Sequence, residues 1–332
     1  MAANSFTFNF KKIMNQYISR VIKIIVFIFL VTITDQVIGL ILRKLYFYQK
    51  IGHSHALTYA FRYCEADILI FGASQAQHNY IPSIISNSLK MSCYNAGQDG
   101  GHSILMQYAQ IKVITERYSP KLIILEFHPN NIVHYAGDYD RLSILLPYYK
   151  EYPDIRPVIL LRSPYERVKL MSAIYPFNSN IIDFLSFILN PNSTWKQDFE
   201  GYVPTKGVMN TDMLKPEPEI EKQSVVDTNM LNALENIIRL CKEKNISLFI
   251  ISSPIFHANN EKQSPSSPAA KLSLEIIHRN HVNYLDFSFD STFTGHLEWF
   301  RDKKHLNDDG AKVFTNKLMC TLKNYNYKAK SE

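Results

Sequence analysis

Cysteine is scarce. The 332 residues hold four, Cys64, Cys93, Cys241 and Cys320. That is too few for a disulfide scaffold, and none forms a Cys-x-x-Cys pair, so a zinc ribbon has no support. Glycine (11) and proline (15) are also few. With 46% hydrophobic residues, this excludes a collagen-like, low-complexity or largely disordered chain. The length allows one core of roughly 250 residues with an appendage, or two small domains. An excess of positive charge is missing from most of the chain. The net +6 arises in the first 50 residues, which hold seven of the 36 basic residues and one of the 30 acidic ones. Residues 51–332 therefore carry 29 of each, which removes the electrostatic case for a nucleic-acid partner.

Long apolar runs are equally rare. One exists, residues 21–42, interrupted by Asp35 and Gln36. With the flanks counted it reaches about 20 residues, enough to cross ~30 Å of hydrocarbon. A carboxylate inside the span costs ~2.5–3.5 kcal/mol, which the surrounding Ile, Leu, Val and Phe can outweigh. We read residues 21–43 as a transmembrane signal anchor. The alternatives are a buried or interfacial helix, or a cleaved signal peptide; no small-x-small site follows to support the latter. Lys11, Lys12, Arg20 and Lys23 precede the uninterrupted apolar part that starts at Ile24, and Arg43, Lys44 and Lys50 follow Leu42. This weak bias, with the chemistry below, places residues 1–20 in the cytoplasm and the rest outside, periplasmic or extracellular.

After a linker at 44–65, short apolar runs alternate with helical patterns. Strands are expected at 66–71, 91–95, 121–127, 246–251 and 282–287. Helices are expected near 81–90, 102–118, 228–244 (capped by Asp227 or Thr228), 268–280 and from about Asn307 onward. Residues 132–225 form an insertion and 324–332 a tail. Such alternation calls for a doubly wound parallel sheet, whose sites lie at the carboxyl ends of the strands.

Four segments follow those ends: Gly72-Ala73-Ser74-Gln75; Asn95-Ala96-Gly97-Gln98-Asp99-Gly100-Gly101; His128-Pro129-Asn130-Asn131; and Asp302-Lys303-Lys304-His305 leading to Leu306–Ala311. Their order and placement resemble the four blocks of SGNH (GDSL-type) hydrolases over about residues 66–131 and 228–323. The resemblance is nearest to membrane-anchored bacterial members that modify cell-surface glycans, including D-alanyl-transfer and alginate-acetylation proteins. Two departures stand out. Ala73 occupies the Asp position of Gly-Asp-Ser, and the third block lacks its first Gly and last Asp.

The resemblance implies a flavodoxin-like three-layer α/β fold with a five-stranded parallel sheet, in a domain spanning 66–323. It implies Ser74 as nucleophile, His305 as base and Asp302 as its orienting partner. The Ser74 and Gly97 N–H groups and the Asn130 amide would form the oxyanion hole. Gln75, Gln98, Asp99 and Asn131 are candidate pocket residues. A one-residue slip would exchange Asn130 and Asn131. A second Asp-x-x-His, Asp99 to His102, shows how cheap that pattern is; its place in a glycine-rich turn argues against it.

Each residue also has a plainer reading: Ser74 as a helix cap, Gly97 as a turn, Asn130 as a chain cap, His305 and Asp302 as surface polar groups. His78 and His128 lack partners at ligand spacing, so neither a metal nor another cofactor is expected. The function implied is acyl-ester hydrolysis or O-acyl transfer, acetyl foremost, on an envelope or secreted polysaccharide. A membrane-bound acyltransferase is a candidate partner. The alternative is a catalytically silent relative that binds glycan or that acyltransferase. The aromatic insertion reads as lid, sugar-stacking face, partner-docking face or extra core.

Overall fold

The computed structural model describes residues 3–50, 52–100, 103–134, 137–181, 200–211, 225–258 and 267–324. The chain groups into two compact units. The first is Met1–Tyr48 with Ser163–Pro191, and the second Gln49–Arg162 with Asn192–Glu332.

In the first unit a single helix, α1, runs over Ala3–Tyr48. Its stretch Met14–Tyr48 is long and apolar enough to cross a membrane. The helix therefore extends past both ends of the anchor expected at 21–43. Gly52, with φ of +89°, marks the break before the next helix, α2 (His53–Arg62).

A short linker helix is expected over 44–65, and α2 lies within that range. The structure packs α2 into the second unit, with Leu57, Ala60 and Phe61 buried. The Arg117 guanidinium donates to the Phe61 carbonyl at 3.2 Å and to that of Cys64. The Phe61 carbonyl is one that the end of α2 leaves without a helical partner.

The second unit is an α/β sandwich. Its strands are β1 (Ile68–Phe71), β2 (Cys93–Asn95), β3 (Leu122–Glu126), β4 (Ser247–Ser252) and β5 (Asn283–Asp286). They lie in the order β2-β1-β3-β4-β5, and every pairing is parallel. This is the flavodoxin-like order expected from the sequence, and its direction reverses between β1 and β3. Parallel strands covered on both faces need apolar side chains throughout. Ile68–Phe71 and Leu122–Leu125 meet that need, each 0% exposed.

Helices α3 (Ser74–Asn79), α4 (Pro82–Leu89) and α8 (Asp308–Asn324) pack together, as do α2, α5 (Ile104–Arg117), α6 (Thr228–Glu243) and α7 (Pro268–Arg279). Local chemistry sets several ends. The Asp227 carboxylate accepts from the Asn229 and Met230 N–H groups at the start of α6, an N-cap. Asn307 Oδ1 accepts from Gly310 N at 3.0 Å before α8. Ala311, Phe314, Leu318 and Leu322 line the buried face of α8, as their spacing predicts.

The insertion does not act as one piece. Its residues 142–148 supply buried Leu142, Leu145, Leu146 and Tyr148 to the α/β unit, while Ser163–Pro191 belongs with α1. Residues 182–199 of the insertion and the tail beyond residue 324 lie outside the described residues.

Candidate active site

Ser74 opens α3 directly after β1, at the carboxyl edge of the sheet beside the switch point. Its hydroxyl lies 2.7 Å from His305 Nε2, across 231 residues of chain. His305 Nδ1 lies 2.9 Å from both Asp302 oxygens. A nitrogen facing an ionised carboxylate must carry the proton. Nε2 is then left with a lone pair, placed to accept from the Ser74 O–H.

The Asp302–His305 pair is built by a local turn. Asp302 Oδ1 accepts from the backbone N–H of Lys304 (2.9 Å) and of His305 (3.0 Å). Asp favours such turns because its short side chain reaches backbone two or three residues on. The Arg301 N–H closes the turn on the His305 carbonyl at 2.9 Å. From above, Leu306 N–H donates to buried Asn79 Oδ1 at 3.2 Å. Asn79 thereby ties the histidine turn to the helix that begins with Ser74.

Partial burial alone would push the Asp302 carboxyl up. The bond from the His305 ring and the two backbone N–H groups outweigh it and bring it down to about 2, from an ordinary 3.8. A depressed carboxyl stabilises the fold above its ordinary value and loses that contribution as pH falls toward its folded one. Denaturation midpoints measured from pH 5 to pH 2 are therefore expected to fall less steeply in Asp302→Ala than in the wild type. Parallel curves would contradict this.

The remaining expected site residues fall less simply. Gly97 is buried and its N–H donates to Asn95 Oδ1 at 3.0 Å. A Cβ at Gly97 would stand 2.6 Å from Gln77 N and 2.7 Å from Ala76 Cβ, so only glycine lets β2's end approach α3 this closely. Asn130 is exposed, and its Oδ1 accepts from Ser267 Oγ at 2.7 Å. Its neighbour Asn131 lines a cavity of ≈60 Å³ with Ala73, Gln75, Ser103, His128 and others.

Gln75 donates to the Lys304 carbonyl and lies against His128 Nε2, both at 3.1 Å. Gln98 is buried, and its N–H donates to the Gly72 carbonyl at 3.1 Å. Asp99 sits 3.8 Å from His78 Nε2. The His78 ring lies edge-on to the His305 ring, with centroids 6.0 Å apart. His102, the rival histidine, lies outside the described residues. Among the described residues no three His, Cys, Asp or Glu side chains come together as a metal site.

A buried polar network beneath the site was not read from the sequence. Glu126, at the end of β3, accepts from Tyr80 Oη, from Ser253 N–H (3.2 Å) and from Ser253 Oγ (3.1 Å), and faces His128 Nε2 at 3.1 Å. Asn79 Nδ2 donates to the same Ser253 hydroxyl at 2.9 Å. Burial and then the Glu126 charge push the Tyr80 phenol well above its ordinary range, which keeps it a donor. The available signal was a carboxylate in an otherwise apolar strand, since buried Glu is rare unless paired.

No family model matches the chain. No curated protein matches it either. Among solved structures it is similar to an acetyl xylan esterase, with 12% identity and a TM-score of 0.36, covering 77% of this chain and 99% of that one. It is also similar to a lipase/acylhydrolase from Enterococcus faecalis, with 10% identity and a TM-score of 0.37, covering 80% of this chain and 98% of that one.

Proposed function

We propose that this chain is a serine acyl-ester hydrolase or O-acyltransferase tethered to a membrane by α1. One observation carries the reading: Ser74, His305 and Asp302 stand in hydrogen-bonded series at 2.7 and 2.9 Å. A serine hydroxyl becomes an effective nucleophile when an adjacent base takes its proton. As Ser74 Oγ bonds to the acyl carbon, its proton passes to His305 Nε2. The carbon–oxygen bond to the leaving alcohol then breaks, and that alcohol takes the proton from Nε2. Asp302 holds the ring and stabilises its cationic form. Water or a sugar hydroxyl then repeats the sequence in reverse on the acyl-serine, giving hydrolysis or transfer.

The Ser74 N–H, the Gly97 N–H and the Asn130 amide are assigned to the oxyanion. For Gly97 this requires exchange of the Asn95 bond. For Asn130, anchoring of its oxygen by Ser267 leaves its amide N–H groups for donation. Losing one such donor typically costs ~2.7–4 kcal/mol of transition-state stabilisation.

The ≈60 Å³ cavity is walled by both sequence neighbours of Ser74. A cavity of this size favours a short acyl group over a long chain. With Gln75, His128 and Asn131 in the wall, it suits an acetyl ester better than a fatty one. Turnover of p-nitrophenyl esters by the full-length protein is expected to fall from acetyl to butyryl and to be lost at octanoyl. A preference for octanoyl would overturn the acetyl assignment.

The apolar helix α1 and the small cavity beside Ser74 support an acylated envelope or secreted polysaccharide as substrate, with the α/β unit outside the cytoplasm and a membrane-bound acyltransferase as donor partner. One observation favours the silent alternative: Asn95 already occupies the Gly97 N–H. That reading requires glycan binding without any reaction at Ser74.

A further inference from the structure

We propose that residues 163–177 form a second membrane-contacting element, clamped to the anchor helix by Asp35 and facing lipid with Tyr165, Val168 and Met171. The inference rests on the reading of α1 as a membrane helix and is independent of the acyl chemistry.

A carboxylate in an apolar span needs partners from protein. Ser172 Oγ donates to Asp35 Oδ1 at 2.5 Å, Ala173 N–H to Oδ2 at 2.6 Å, and Ile174 N–H reaches Oδ1 at 3.4 Å. Gly39 lies four residues on, so it shares Asp35's face of α1. A Cβ there would overlap Ala173, so this glycine is what allows the two backbones to touch. Tyr46 lies about two turns further along and meets Phe177 with ring centroids 5.8 Å apart. From Asp35 to Tyr46 the contact follows about 16 Å of the helix axis. The other faces of α1 stay open: Val37, Leu40 and Ile41 are 52%, 60% and 54% exposed.

The docked segment is turned inside out relative to a water-facing surface. Glu166 is fully buried, accepting from Tyr175 Oη at 2.6 Å and from Lys169 Nζ at 3.4 Å. Tyr165, Val168 and Met171, at three-residue spacing, are 71%, 66% and 78% exposed. A segment in water would put Glu166 outside and the valine and methionine inside. The reversed arrangement, on an element bonded to the apolar helix itself, fits a hydrocarbon neighbour. Exposed Arg167 stands on the same turn, where a long cationic side chain can reach lipid phosphates. The occupant of this face is the interfacial layer of the bilayer that α1 crosses.

Nitroxide accessibility tests this in the full-length protein reconstituted in phosphatidylcholine–phosphatidylglycerol vesicles. Labels go on Met171→Cys and, as a control on α1, Phe27→Cys, both in a Cys320→Ser background. Both labels are expected to collide readily with oxygen and poorly with a water-soluble nickel chelate. Asp35→Ala, and independently Gly39→Leu, should shift the residue-171 label to nickel access while the residue-27 label stays shielded. Free nickel access at 171 with shielding at 27 overturns the proposal while leaving the anchor intact. Nickel access at both positions overturns the anchor reading and this inference with it. A 171 label unmoved in both variants overturns the clamp.

Discussion

Ser74→Ala is expected to lower kcat for an acetyl ester by on the order of 10⁶-fold, the scale seen when a triad serine is removed. Without the hydroxyl no acyl-serine can form, and His305 has no proton to take. Catalysis does not fall to zero, because oxyanion donors and substrate binding survive. The fold should be untouched. Ser74 is only partly buried, and its side chain's partner is the His305 ring. The measurement is kcat by ester hydrolysis beside a thermal midpoint. A midpoint within a degree or two of wild type and a lost kcat fit the account. Unchanged kcat contradicts it.

Asp302→Asn should cost about 10⁴-fold in kcat, the penalty of leaving the histidine in the wrong tautomer. The substitution separates two jobs of one side chain. An asparagine keeps an oxygen that can accept from the Lys304 and His305 N–H groups, so the turn survives. It loses the second anionic oxygen facing His305 Nδ1 at 2.9 Å, and its amide can force Nδ1 to become the acceptor. Nε2 then carries the proton and no longer serves as base. A large kcat loss with little change in KM or thermal midpoint is the expected pattern. A loss of stability without a specific loss of kcat would make Asp302 a structural residue.

The central strands were legible because they are short, largely apolar and bounded by turn residues. Ala66–Phe71 and Lys121–Phe127 each run only one or two residues beyond the strands observed. The late helices were legible because one face repeats at helical spacing, as in Ala311, Phe314, Leu318 and Leu322. Helix α3 was not, since buried Gln77, His78 and Asn79 give it a polar interior. Those side chains are held by bonds to residues distant in the chain, such as His78 Nδ1 to the Val203 carbonyl at 2.7 Å, which leave no periodic trace.

The same reason hid the division of the insertion. The Asp35–Ser172 bond links positions 137 apart, and no local pattern announces it. At the site, the four-block resemblance named Ser74, Asp302 and His305 as candidates, and the structure brings these side chains within hydrogen-bond distance. The resemblance was not enough to separate Asn130 from Asn131. One residue's difference sends the first side chain to Ser267 and the second into the cavity wall.

Covalent labelling addresses the central claim most directly. Full-length protein is treated with a fluorophosphonate, digested, and the adduct located by peptide mass spectrometry. The expected result is one adduct, on Ser74, absent in Ser74→Ala and strongly slowed in His305→Ala. No adduct in the folded wild-type protein, or labelling at another serine that persists in Ser74→Ala, would contradict it.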